Sequence, residues 1–100
     1  MIWYVERSPI HGAGVFAGRP IFRDDPIGLA HWRDSRSQWH ATALGRYHNH
    51  SERPTARSIL SANGMRQLFA NINLAPGDEI TVDYRMQPEF EQPQAGWQRG

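Results

Sequence analysis

Pro76-Gly77-Asp78-Glu79-Ile80-Thr81-Val82-Asp83-Tyr84 joins a turn to an alternating strand, and this stretch decides the fold together with two earlier blocks. One block is Ser8-Pro9-Ile10-His11-Gly12-Ala13-Gly14-Val15-Phe16-Ala17, and the other is Arg46-Tyr47-His48-Asn49-His50-Ser51. Each block alone is ordinary, because Gly-x-Gly turns, Asn-His-Ser tripeptides and Pro-Gly turns before strands are common. The combination of all three in this order is specific.

The size and composition of the chain limit its architecture. It has 100 residues, of which 39% are hydrophobic, and it contains no cysteine. The chain therefore has room for a single domain, and neither a disulfide framework nor a thiolate metal site can form. A domain of this length buries only about two thirds of its extended surface, so a homodimer partner would add stability.

Charge and hydropathy exclude several classes of partner. The formal net charge is +1, and the arginines are scattered along the chain rather than clustered in a basic stripe. Nucleic-acid binding is therefore not expected. The start lacks the basic and apolar regions of a secretory leader, and no apolar run approaches the roughly 20 residues that span a bilayer. We expect a soluble, intracellular protein without membrane contact.

Short β-branched and aromatic stretches separated by turns predict a mostly β fold. The only helix is expected to begin at Asp34 and to run through Leu44, with Gly45 as the left-handed residue after its end. Asn63-Gly64 predicts a hairpin turn. Strands are expected at residues 2–5, 15–17, 27–32, 58–61, 66–70 and 79–84, and an extended tail follows at residues 85–100.

In their order the three blocks resemble a SET domain, the fold of a family of protein-lysine methyltransferases. The resemblance covers residues 8–21 and 46–84. It implies a β-clip of short sheets with one short helix and a C-terminal pseudoknot that brings Asn49 and His50 to Tyr84. On this basis residues 1–100 form one SET domain, with a catalytic unit at 1–84 and the tail at 85–100.

The resemblance also implies an activity and the residues that carry it. Methyl groups would pass from S-adenosylmethionine to the side-chain amine of lysine in a protein or peptide substrate, with histones as one class of target, and the peptide would lie beside an exposed strand. Tyr84 is the catalytic phenol on this reading. The cofactor contacts would come from His11, Gly12, Ala13, Gly14, Arg46, Asn49, His50 and Tyr84, and the substrate channel from Tyr47, Val82 and Trp97.

Elementary chemistry agrees with these residue types, although each has a structural interpretation as well. Glycine lets a backbone approach a ligand closely, but turns need glycine anyway. An asparagine beside a histidine can satisfy a purine edge and a carboxylate, or simply its own loop. A neutral phenol with a pKa of about 10 would orient the attacking amine rather than act as a strong base, whereas a strand-end tyrosine is often only a core aromatic.

The chain departs from the family pattern in places. Several members follow Asn-His-Ser with a cysteine and then Pro-Asn, whereas this chain continues Glu52-Arg53-Pro54-Thr55. Without the cysteine-rich zinc segment of many relatives, the channel would be closed by the tail, through Phe90 or Trp97, or by a second subunit. These departures keep an alternative open, a catalytically inactive SET-like β-rich protein-binding module.

Three further features bear on the chemistry. Val82 stands where family enzymes often carry the aromatic residue that limits the number of methyl groups, so the resemblance does not determine how many methyl groups are added. No metal site is expected, because the histidines have no zinc-motif spacing and no cysteine accompanies them. All 11 basic side chains are arginine, which fits a G+C-rich genome or, on the functional interpretation, an enzyme that avoids modifying itself.

Overall fold

The computed structural model describes residues 1–87 of the chain. This part contains eight short strands, one short helix and a final 3-10 turn, joined by loops. In chain order they are β1 (Trp3–Arg7), β2 (Ala13–Ala17), β3 (Pro26–Arg33), β4 (Trp39–Ala41), α1 (Ala43–Tyr47), β5 (Asn49–His50), β6 (Ala56–Leu60), β7 (Met65–Ala70), β8 (Glu79–Val82) and the 3-10 turn Tyr84–Met86. The mostly β fold with one short helix is confirmed.

The strands form two four-stranded sheets, in the orders β1-β2-β8-β5 and β4-β3-β7-β6. In the first sheet β8 is antiparallel to β2 and parallel to β5. The last strand is thus inserted between a strand from the start of the chain and one from its middle. This insertion brings the three sequence blocks together, as the pseudoknot requires. Any threading of the tail concerns residues 88–100, which lie outside the described residues.

The hydrophobic core includes residues from both sheets and from α1. Val15, Leu44, Leu68 and Ile80 are each fully buried within it. In β8 both faces are covered, since Ile80, Thr81 and Val82 are all buried. Thr81 is bonded to Thr55, whose amide donates to the Thr81 hydroxyl at 3.1 Å and whose hydroxyl accepts from the Thr81 amide at 3.0 Å.

The two turns that contain glycine follow from their sequences. The amide of Asp78 donates to the carbonyl of Ala75 at 3.0 Å and Gly77 has a φ of 91°, which is typical of a type II turn with proline and glycine in the middle. The hairpin of β6 and β7 is confirmed. Its turn is closed by a 3.2 Å bond from the Gly64 amide to the Ser61 carbonyl, and Gly64 (φ 80°) is left-handed whereas Asn63 is not.

The helix expected from Asp34 to Leu44 is wrong. The Asp34 carboxylate accepts from the amides of Arg36 and Gln38 at 2.8 and 3.0 Å, which closes a turn rather than starting a helix. Residues 39–41 instead form β4, which pairs with β3. Helix α1 begins after Thr42, whose hydroxyl accepts from the Gly45 amide at 3.2 Å, so Gly45 lies inside the helix.

The last strand also ends earlier than expected, at Val82. The Asp83 side chain accepts from the Arg85 amide at 3.0 Å and caps the 3-10 turn Tyr84–Met86. Tyr84 therefore leaves the strand, and the segment that follows does not begin as an extended tail. Within residues 1–87, no helix has the length and hydrophobicity needed to cross a bilayer.

Gly45 generates a prediction about stability. A β-carbon on this residue would lie 2.7 Å from the carbonyl carbon of Ala30 and closer still to its oxygen, so the helix approaches β3 backbone to backbone. Gly45→Ala should therefore lower the free energy of unfolding by about 3 kcal/mol or more, measured by urea denaturation. Helix propensity alone predicts the opposite sign, a gain of up to about 1 kcal/mol.

The control is Ala43→Gly, an exposed position in the same helix. It should cost at most about 1 kcal/mol, since only propensity changes. A Gly45→Ala protein as stable as the wild type would contradict the packing of α1 on β3.

Candidate functional site

Two cavities share a wall made by His48 and Tyr84. The larger, of about 540 Å³, is lined by residues 10–13 and 46–50 together with Tyr84. The smaller, of about 290 Å³, is lined by His48, Tyr84, Gln87 and Gly45 and by residues of β3 and β4. The first and second sequence blocks thus face one cavity, and the residue that ends the third block separates it from the other.

Tyr84 is held in place from several directions. Its hydroxyl donates to the carbonyl of His48 at 2.7 Å, and its amide donates to Nδ1 of His50 at 2.9 Å. The ring packs edge-on against His48, with centroids 5.5 Å apart, and tilted against His50 at 5.1 Å. The phenol therefore has a defined position at the shared wall.

His50 acts as a hydrogen-bond acceptor in this arrangement. Because its Nδ1 accepts from a backbone amide, the ring proton of the neutral imidazole is on Nε2. The carboxylate of Asp83 lies 3.8 Å from Nδ1. Hydrogen bonds from Arg85 hold the pKa of the Asp83 carboxyl below its usual value, so this residue remains an anion beside the ring.

Asn49 connects the first block to the last strand. Its amide nitrogen lies 3.2 Å from the His11 carbonyl, 3.1 Å from the Ala13 carbonyl and 2.9 Å from Oε2 of Glu79. Three acceptors therefore share the two hydrogens of one amide group. The side chain that we expected to contact a cofactor also shapes the loop that faces the larger cavity.

Glu79 is a residue that sequence reasoning missed. Its half-buried carboxylate accepts from the hydroxyl of Ser8, 2.8 Å from both oxygens, as well as from Asn49. A β-carbon on Gly14 would lie 2.5 Å from Oε2 of Glu79, so this glycine makes room for the carboxylate. Glu79 is the first residue of β8, directly after the Pro76-Gly77 turn and Asp78, and nothing in the sequence distinguishes it from a solvated surface residue.

His48 is a buried and neutral histidine. Its Nδ1 donates to the Leu44 carbonyl at 2.9 Å, which leaves the lone pair on Nε2. Burial lowers the pKa of the ring, because a charged imidazolium loses its hydration there. The sequence predicted no contact with cofactor or substrate for this residue. Within residues 1–87 no three potential metal ligands are grouped together.

The predicted site residues divide into three sets. The larger cavity is lined by His11, Gly12, Ala13, Arg46, Tyr47, Asn49, His50 and Tyr84. Gly14 and Val82 line neither cavity: Gly14 lies against Glu79, and Val82 belongs to the hydrophobic core. Trp97, predicted for the substrate channel, and Phe90, considered for its closure, lie outside the described residues.

The smaller cavity is lined mainly by residues that the sequence did not predict for the site. His31, Trp39, His40, His48 and Gln87 line it together with Tyr84. Trp39 and His40 lie on β4, but the sequence predicted a helix there and therefore did not indicate that they line a cavity. A β pattern at residues 39–41 would have placed them beside His31, because β4 pairs with β3.

Comparisons with known proteins identify the family. The model of the SET domain family matches residues 28–85, which is more than half of the chain. No curated protein sequence matches. Among many similar solved structures is that of a Plasmodium falciparum protein described as a candidate histone methyltransferase, with a TM-score of 0.69, 20% identity, and coverage of 82% of this chain and 91% of that one. This likeness confirms the fold. The family match over residues 28–85 shows that the chain belongs to the SET domain family.

Proposed function

We propose that this protein is an S-adenosylmethionine-dependent protein-lysine methyltransferase. Members of its family are in general enzymes of this kind. The observation that carries the proposal is the position of Tyr84, whose phenol stands in the wall between two cavities and is held there by His48 and His50. A methyl donor on one side and an acceptor amine on the other would meet at this phenol.

The larger cavity fits the cofactor. Its volume of about 540 Å³ falls in the usual range for small-molecule sites, roughly 300–1,000 Å³. Gly12 has a φ of 47°, and a β-carbon on it would meet no atom within 4 Å. In any other residue the backbone would be strained at this φ, and the side chain would project into open space. Arg46 could pair with the cofactor carboxylate, while Asn49 and His50 supply polar groups near Tyr84.

The cofactor, when bound, supplies an electrophilic methyl group on a sulfonium. The residues of this chain would orient the amine and exclude water, since proximity and alignment lower the barrier to displacement. The Tyr84 hydroxyl donates its proton to the His48 carbonyl, so the phenol oxygen can accept a hydrogen bond from an amine.

The substrate amine would enter through the smaller cavity. A free lysine has a pKa of about 10.4, and removing its proton at neutral pH costs about 4 kcal/mol. Burial beside a cationic cofactor lowers that cost, because desolvation and like charge both disfavour the ammonium form. The aromatic rings of Tyr84 and Trp39, which line this cavity, are suitable walls for the methylene stem.

A polypeptide substrate could bind along β4. This strand is at one end of its sheet in the described order, and all three of its residues line the smaller cavity. Addition of a strand at such an edge gives affinity through main-chain hydrogen bonds. Histones are one class of target to be tried, and a homodimer would be the simplest way to complete the walls of the channel.

The departures near Thr55 are compatible with activity. The Thr55 hydroxyl donates to the Glu79 carbonyl at 2.7 Å, and its amide donates to the hydroxyl of Thr81 at 3.1 Å. The residue therefore ties the segment after Asn49 and His50 to β8. The inactive binding module remains the second candidate, and it would be favoured by cofactor binding without methyl transfer.

The first test is calorimetry of the purified full chain with S-adenosylmethionine, followed by transfer of a labelled methyl group to lysine peptides and core histones. We expect binding and labelled lysine. Because the chain contains no lysine, every labelled lysine in a hydrolysate comes from the substrate. The absence of cofactor binding would contradict the proposed enzyme.

The second prediction concerns the phenol. Tyr84→Phe should lower turnover at least tenfold (roughly 1.4 kcal/mol in the barrier) and leave the affinity for S-adenosylmethionine nearly unchanged, because the ring remains and only the hydroxyl is lost. Turnover and calorimetry are measured in parallel. Unchanged turnover would remove Tyr84 from the catalytic role.

The third prediction concerns Asn49. Asn49→Ala should weaken cofactor binding about tenfold, since the amide bonds that hold the loop at His11 and Ala13 are lost. Asn73→Ala is the matched control, because Asn73 is exposed and accepts a hydrogen bond from the Arg23 amide. Equal affinities of the two variants for S-adenosylmethionine would refute the role of Asn49.

A further inference from the structure

The lining of the smaller cavity includes side chains with nitrogen and oxygen atoms, which the methylene chain of a lysine does not need. His48 and Gln87 line it and are 4% and 2% exposed. Buried polar atoms in proteins are in general hydrogen-bonded. The atoms beside Tyr84 are thus suited to the polar end of a substrate side chain.

The ring of His48 has one orientation and one tautomer. Nδ1 donates its proton to the Leu44 carbonyl at 2.9 Å, so Nε2 has a lone pair that can accept a hydrogen bond. The contact between Nε2 and the side-chain nitrogen of Gln87 measures 3.5 Å, which is the long limit of a hydrogen bond. A donor that approaches more closely would form the stronger bond.

Tyr84 provides a second acceptor in the same cavity. The Tyr84 hydroxyl donates its proton to the His48 carbonyl at 2.7 Å, so toward a substrate amine the phenol oxygen can act only as an acceptor. The two rings pack edge to face with centroids 5.5 Å apart. Val82, where the family pattern locates control over the number of methyl groups, is a core residue and does not line this cavity.

The number of acceptors bears on the product. A neutral lysine amine has one lone pair, aimed at the methyl donor, and two N–H bonds, one for each acceptor. The nitrogen forms a bond to carbon as the carbon–sulfur bond breaks with its electron pair to sulfur. The methylammonium then loses one proton to solvent and retains one N–H. A second transfer would place a methyl group against an acceptor.

We propose that Nε2 of His48 receives one N–H of the substrate amine beside Tyr84 and thereby makes the enzyme a monomethyltransferase. This specificity-determining role rests on the proposed function. Loss of one buried hydrogen bond should make the second transfer roughly tenfold slower than the first.

Two isosteric variants test this role in the full chain. The amide of asparagine replaces Nδ1 of histidine, and that of glutamine replaces Nε2. His48→Asn keeps a donor to Leu44 and loses the second acceptor, so the ratio of first to second transfer rates should fall about tenfold. His48→Gln keeps an acceptor, and the ratio should stay within about threefold of the wild type.

The substrate for this assay is a library of blocked hexapeptides with a central lysine and random flanks. After exhaustive reaction the peptides are hydrolysed, and mono-, di- and trimethyl-lysine are quantified. Monomethyl-lysine should dominate with the wild type and with His48→Gln. Thermal melts of both variants report whether they fold.

A second measurement requires neither a variant nor turnover. Nitrogen NMR of the histidine rings follows Nε2 of His48 as n-butylammonium or trimethylbutylammonium is added at pH 7.5. The probes have the same charge, but only the first has N–H donors. We expect a shift of the Nε2 resonance with n-butylammonium alone. Equal shifts with both probes, or no shift with either, would overturn the proposal.

The outcomes separate this inference from the proposed function. Di- or trimethyl-lysine as the main wild-type product, or equal product ratios for the two variants, would overturn the role of His48 while the methyltransferase stands. Failure to label any lysine would contradict the proposed function, and the NMR titration would still decide whether Nε2 of His48 accepts from an amine.

Discussion

The site depends on one side-chain amide. Asn49 holds the carbonyls of His11 and Ala13 and the carboxylate of Glu79 within hydrogen-bond distance, at 3.2, 3.1 and 2.9 Å. These partners come from the loop after β1, from the start of β2 and from β8, so one group fixes the relative position of all three sequence blocks. These bonds hold the loop that lines the larger cavity. Because the Asn49 amide is buried, the loss of its partners would leave polar hydrogens without acceptors and would destabilise the arrangement.

Much of the fold follows from local sequence. Pro76-Gly77 and Gly64 specify their turns through the positive φ that glycine adopts readily, and strands lie beside both turns as predicted, although the last one ends at Val82. The helix from Asp34 was not, because Asp34 has the same capping chemistry in a helix and in a turn, and only the pairing of β4 with β3 decides between them. Tertiary contacts overrode the local preference there.

The candidate site was predictable only in part, for a similar reason. Three separated motifs together indicated the residues of the larger cavity, and the structure brings them to one place. Glu79 and His48 lie within these motifs, but their residue types gave no sign of a role in the site. A carboxylate after a Pro-Gly turn and a histidine before Asn49 are common in exposed loops, and their importance depends on burial, which arises when β8 enters the sheet between β2 and β5. Burial is a property of the whole fold, so no local pattern reveals it.

The shared wall explains how a small domain would arrange the proposed transfer. Tyr84 and His48 line both cavities, and the main-chain carbonyl of His48 accepts from the Tyr84 hydroxyl while Nδ1 of its ring donates to the Leu44 carbonyl. On the proposed function, this one residue would position the phenol through its carbonyl and receive the amine through its ring. A wall of two side chains would then set both the alignment of the transfer and the number of hydrogens that the amine can keep.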